Sequence, residues 1–158
     1  MSAGAEDAPG PDQAEGANGP ITNADELLFR QVHPNLYHGG AVASSAFLPT
    51  EDDQGQMSVD RSSRTTPKAS FDLYRESGRA SAAVYGVTVG ELNAEGISCH
   101  PDPRPATHTS KANAAHAYAD FTDIGTNQRK RKAQRLRTSA VSRGQLYRQL
   151  ESAARQSR

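Results

Sequence analysis

Apolar residues in this 158-residue chain come in short runs that Pro or Gly cut off within a few positions. Residues 27–61, LLFRQVHPNLYHGGAVASSAFLPTEDDQGQMSVDR, show the pattern most plainly. Such punctuation permits strands and tight turns, and no run approaches the ~20 apolar residues a membrane helix needs. Residues 27–32 read as a strand ended by His33-Pro34, because a residue before Pro avoids the helical region. Gly39-Gly40 reads as a turn and 42–48 as a second extended piece stopped by Pro49. Residues 56–60 read as a third strand, in which Met57 and Val59 alternate with Ser58.

Thr66-Pro67 starts a helix, with Ala69, Leu73 and Tyr74 spaced for one face, Phe71 beside them and Gly78 as a stop. Residues 81–92, SAAVYGVTVGEL, are the best central-strand candidate, with Gly90 or Gly96 as the break. Pro101, Pro103 and Pro105 make 97–112 a loop. Residues 115–121 alternate and read as another strand. Thr126 caps a helix over 126–143 with a thin stripe of Ala133, Leu136 and Ala140, stopped by Gly144; 145–154 reads as a short, frayed helical stretch. Strands and helices mix without βαβ regularity. The expected class is α+β, a small mixed or antiparallel sheet with two or three helices.

Only 35% of residues are hydrophobic, Trp is missing and the mean hydropathy is −0.74. The deficit is partly local. Residues 1–20 hold four Gly, three Pro and four acids, too little apolar surface to offset the entropy of ordering, so 1–21 is expected to be a disordered acidic head. One domain over 22–147 and a frayed tail over 148–158 follow. The head lacks the basic and apolar regions of a signal peptide. A single Cys99 leaves no internal disulfide, and a reducing, cytoplasmic setting is the expectation.

The zero net charge hides a polarity: residues 1–60 carry ten acids and one base, and residues 121–158 carry ten bases and two acids. Arg129, Lys130, Arg131, Lys132, Arg135 and Arg137 concentrate the excess on the expected last helix. Such a helix can lie on phosphates with salt-dependent affinity, so nucleic acid or an acidic protein is the expected partner. A solvated charged face reads the same way.

Catalytic candidates are sparser. Arg30 could clamp a phosphate and His33 act as acid or base, although residues three apart on a strand face opposite ways. Ser44 and Ser45 lack a Gly-x-Ser-x-Gly elbow. Glu91 ends the expected strand and could serve as a base; it could equally begin the next turn. Cys99, His100, His108 and His116 fit no compact ligand spacing. Neither a metal nor a cofactor is expected.

Leu28-x-Arg30-Gln31-Val32-His33-Pro34, then Ser44-Ser45-x-Phe47-x-Pro49-Thr50, then Asp53-x-Gly55-x-x-Ser58-Val59 resemble a group of small bacterial proteins. The likeness continues through VYGVTVGEL, Asp120-Phe121 and Arg143-Gly144-x-Leu146-Tyr147. It covers about residues 27–147 and implies a bacterial, single-domain protein without implying a mechanism. A more generic likeness to ADP-ribosyltransferase-like folds implies an NAD site in which Arg30 or His33, Ser44 or Ser45, and Glu91 would take part.

Overall fold

A computed structural model describes residues 19–148. Its elements are β1 (Leu27–Val32), β2 (Tyr37–His38), β3 (Ala41–Val42), β4 (Gln56–Arg61), α1 (Pro67–Glu76), β5 (Ala83–Thr88), α2 (Val89–Ala94), β6 (Ser98–Pro101), β7 (His116–Asp120), α3 (Thr126–Arg143) and β8 (Tyr147–Arg148). Six strands form one sheet in the order β6-β7-β4-β1-β5-β8, every neighbouring pair antiparallel. β2 and β3 form a separate two-stranded ribbon across Gly39-Gly40. The class is therefore α+β, with an antiparallel sheet and, among the described residues, three α-helices.

The pleat divides each strand between two faces. On one face Leu28, Val32, Met57, Val59, Tyr85, Val87, Cys99, Ala117 and Ala119 meet Leu92 of α2 and Ala133, Leu136 and Ala140 of α3. On the other, α1 packs over β1, β5 and β8, where Phe71 joins Phe29 and Val84 with Leu27, Leu146 and Tyr147 around them. A polar chain fastens α1 down. Ser81 Oγ donates to Gln31 Oε1 (2.8 Å), Gln31 Nε2 to Ser70 Oγ (2.8 Å), and Ser70 Oγ to Asp60 Oδ2 (2.6 Å), while Asn113 Nδ2 donates to Asp60 Oδ1 (2.9 Å).

Several expectations need correction. Residues 42–48 are not one extended piece: the strand stops at Val42, and residues 44–47 coil into a single 3-10 turn, held from outside by Arg30. The stretch 81–92 is extended only to Thr88. There a capping box ends it, with Glu91 N–H donating to Thr88 Oγ1 (3.0 Å) and Thr88 N–H to Glu91 Oε1 (2.9 Å), so a helix rather than a glycine breaks the strand. Residues 98–101 pair with β7 although they lead into the Pro-rich loop. In α1 the buried pair is Ser70 and Phe71, not Ala69. Gly125, not Thr126, is the N-cap of α3. Tyr147 and Arg148 add a short strand instead of a helix; the rest of the expected 145–154 helix and the tail lie outside the described residues. So do residues 1–18 of the expected disordered head, whereas Ile21 is buried and its N–H donates to Cys99 O (2.7 Å).

At the start of β4 the chain turns through Gln54 and Gly55, both left-handed (φ 54 and 84). A Cβ on Gly55 would stand 2.9 Å from Thr122 Cγ2 and 3.2 Å from Thr122 Cα. Gly55→Ala is expected to lower stability by about 1–3 kcal/mol, from the left-handed backbone and the contact together. Equilibrium urea unfolding measures it, and an unchanged midpoint would mean the turn relaxes freely.

Candidate functional site

Arg30 and His33 do not share a pocket. Arg30 lies on the core side of β1, nine-tenths buried, under the 3-10 turn of residues 44–47. Its Nε donates to Ala46 O (2.8 Å), Nη1 to Ser58 O (2.8 Å) and Nη2 to Leu48 O (2.9 Å). Burial pulls the guanidinium pKa down, with Tyr74 and Asp53 acting the other way. His33 is exposed at the strand end, where its Nδ1 accepts from Asn35 N–H (3.0 Å) as the cap of the Pro34–Leu36 turn. Ser44 is half-buried and Ser45 exposed on the 3-10 turn.

Glu91 sits elsewhere. Besides capping α2 it takes Arg143 Nη2 at 2.6 Å, tying α2 to the end of α3. Partial burial pushes its pKa up; Arg143 and the Thr88 N–H outweigh that and hold the carboxyl below its usual range. Arg30 thus lies beneath the turn that carries Ser44 and Ser45, while His33 and Glu91 sit at separate points of the framework.

Helix α3 carries Arg129, Lys130, Arg131, Lys132, Arg135, Arg137 and Arg143 and no acid. Several are anchored. Arg129 donates to Ile124 O (2.7 Å) and Phe121 O (2.9 Å), Lys132 to Glu95 O (2.6 Å), and Arg137 to Val42 O. Arg135 pairs with the Glu95 carboxylate (2.8 Å), which holds that carboxyl's pKa low against partial burial. Carbonyls are neutral, so the contacts of Arg129 and Arg137 orient their charges without cancelling them. Glu95 and Glu91 are the carboxylates paired with the helix among the described residues. Lys130 and Arg131 are exposed and have no side-chain partner there.

A second polar surface lies across the sheet. Register aligns Ser98, Asp120 and Gln56 in one row and His100, Tyr118 and Ser58 in the next, and Asp60 stands opposite His116 in a third. These residues share the face on which α1 packs over β1, β5 and β8 and reaches β4 through the Ser70–Asp60 hydrogen bond. His116 is nine-tenths buried, with Nδ1 3.0 Å from Asp102 O and 3.2 Å from Asp102 Oδ2. Burial, then the charge of Arg104, lowers its pKa, and Asp102 and Asp60 oppose them. Asp102 also receives Arg104 Nε (2.9 Å). Next to this pair is a half-open cavity of about 260 Å³ lined by Asp52, Asp53, Gln54, Gln56, Ser58, Arg104 and Tyr118. Sequence reasoning passed over this face. Its signal was the strict polar alternation of Gln56, Ser58, Asp60 and of His116, Tyr118, Asp120.

Cys99 faces the core, away from His100 and His116, and burial together with the Glu26 charge pushes its thiol up to about 12. Among the described residues no three His, Cys, Asp or Glu side chains group so as to hold a metal ion, and no helix is long and apolar enough to cross a membrane. No protein-family model, curated protein or solved structure matches this chain.

Proposed function

We propose that this chain is a binding module whose helix α3 takes a nucleic-acid backbone. The observation that carries the reading is the helix's charge: seven cations with no acid of their own, set against two paired carboxylates. Anchoring by carbonyls fixes several of these cations before any partner arrives, so less side-chain entropy is lost on binding. Lys130 and Arg131 face outward with all their donors open. Phosphates along a strand would meet this surface with displacement of counterions, and affinity would fall steeply with salt. A buried, unreactive thiol is compatible with a reducing, cytoplasmic setting.

The test is fluorescence anisotropy with short DNA and RNA at stepped salt. The double variant K130A/R131A touches no internal contact, so its fold is expected to be intact. It is expected to weaken binding roughly tenfold or more and to flatten the log–log salt slope by about 2. Affinity that does not respond to salt, or that is unchanged in the variant, rules the reading out. Binding confined to acidic polypeptides replaces the nucleic acid with a protein partner and also overturns it.

A further inference from the structure

We propose that the cavity beside Tyr118 binds a planar, amino-bearing heterocycle of the nucleobase type. The site goes beyond the proposed role of α3, which packs on the opposite face of the sheet.

The geometry begins with one row of the sheet. His100, Tyr118 and Ser58 occupy the same register position on β6, β7 and β4, and neighbouring strands stand about 4.8 Å apart. The His100 and Tyr118 rings are stacked, with centroids 5.1 Å apart and planes 22° from parallel. On the other side of Tyr118 the row continues with Ser58, whose short side chain leaves the place of a third ring unfilled. That place opens into the cavity, which both Tyr118 and Ser58 line. At about 260 Å³ it is just below the roughly 300 Å³ at which sites for drug-sized ligands begin. Its scale is that of one ring system. Bases of any kind stack on aromatic side chains.

The chemistry of the rim selects among rings. The Ser58 and Tyr118 hydroxyls, the Gln54 and Gln56 amides and the Asp52 carboxylate make no hydrogen bond within the described residues. Asp53 uses one oxygen, Oδ2, to accept from Thr50 N–H (3.2 Å). Arg104 is drawn to Asp102. The rim thus sets two carboxylates, which only accept, among hydroxyls and amides that can accept or donate. Carboxylates accept from exocyclic amines, and a glutamine amide can pair with an amine and its neighbouring ring nitrogen together. Adenine and cytosine present such edges. Uracil and thymine turn carbonyls toward the carboxylates instead and keep only N3–H to donate, so they are disfavoured.

Amide-resolved NMR titration with adenosine, cytidine and uridine tests this on the full chain. Adenosine and cytidine are expected to give saturable shifts at Gln56, Ser58 and Tyr118, and uridine weaker ones. Tyr118→Phe keeps binding, and Tyr118→Ala weakens it roughly tenfold or more. Ser58→Tyr fills the empty ring position and abolishes it; this variant tests the slot even if Tyr118→Ala fails to fold. No saturable shift with any nucleoside, uridine binding as well as adenosine, or adenosine binding kept in Ser58→Tyr overturns the proposal. AMP and an oligo(dA) strand, tested in the K130A/R131A background, show whether the ring comes free or within a strand. Both are expected to depend on Ser58. Because that background lacks the outward bases of α3, a weakened, less salt-dependent nucleic-acid affinity there with adenosine binding retained separates the two sites.

Discussion

Replacing Arg30 with methionine is expected to destabilise the domain by roughly 3–5 kcal/mol, a large share of the ~5–15 kcal/mol that holds a domain of this size together. The guanidinium spans the carbonyls of Ala46, Leu48 and Ser58. Those three carbonyls belong to the 3-10 turn, the residue after it and β4. Methionine fills comparable space along β1 but donates nothing, so all three acceptors lose their partner at once. The turn carries Ala46 and Phe47 into the core against α3. Its release therefore also uncovers apolar surface, and the loss exceeds that of three isolated hydrogen bonds. Arg30→Lys keeps the charge but presents a compact ammonium in place of a rigid fork, and it is expected to lose at least about 2 kcal/mol. Guanidinium chloride unfolding of the three proteins measures both. The same variants separate a framework role from a catalytic one. If Arg30 served a ligand, Arg30→Met would leave the unfolding free energy within about 1 kcal/mol of the parent's.

Where the fold was legible, local pattern and tertiary context agreed. β1 was readable from the Pro34 that ends it, β4 from the alternation of Met57 and Val59 with Ser58, and α1 because Thr66 accepts from Ala69 N–H (3.1 Å) ahead of Pro67. α3 was readable from Ala133, Leu136 and Ala140 and from Gly144 at φ 101. β6 was hidden by its neighbours. Three prolines in five residues argue for a loop, yet Pro101 ends an edge strand, where a missing N–H is tolerated. The turn at 44–47 could not be read locally, since its conformation is set by an arginine sixteen residues earlier. That arginine did leave a trace. It alternates with Leu28 and Val32, so it had to point into the core and needed buried acceptors.

The site followed the same rule. Polar residues at every second position of β4 and β7 marked a wet face in each strand separately. That these strands and β6 lie side by side depends on the order β6-β7-β4, a long-range pairing across the segment holding α1, β5 and α2. No local pattern encodes that order. On α3 the bases were plain to see, but the division between carbonyl-anchored, paired and outward cations rests on Glu95, Val42 and Phe121, which are distant in sequence from most of their partners.

The Glu26–Arg61 pair gives the other large effect. Both side chains are about 3% exposed; Arg61 Nη2 meets Glu26 Oε1 at 2.8 Å, Nε meets Oε2 at 3.0 Å, and Ser63 Oγ adds a contact to Oε2 at 2.7 Å. Arg61→Met is expected to cost about 3–5 kcal/mol at pH 7, because it strands a carboxylate in the interior. Removing both charges in the double variant E26L/R61M is expected to recover at least about half of that, since a buried pair and an apolar pair are often close in stability. The pH dependence carries a sign that separates this account from a simple packing loss. Burial, the largest influence, pushes the Glu26 pKa up, but the Arg61 and Ser63 contacts together outweigh it and hold the folded value below the usual one. The parent's contribution is therefore complete above the unfolded pKa of about 4.3 and is lost as pH falls through the lower folded value. Without Arg61, burial dominates and the Glu26 pKa rises above its ordinary range, so protonation relieves the stranded charge. Relative to the parent, Arg61→Met thus gains stability as pH drops from 7 toward 5; the buried His116, whose pKa is lowered, weakens both proteins alike over that range. Urea unfolding of both proteins at pH 7, 6 and 5 should show the gap narrowing. A gap of constant size over that range would mean that lost packing, not the unpaired carboxylate, sets the cost.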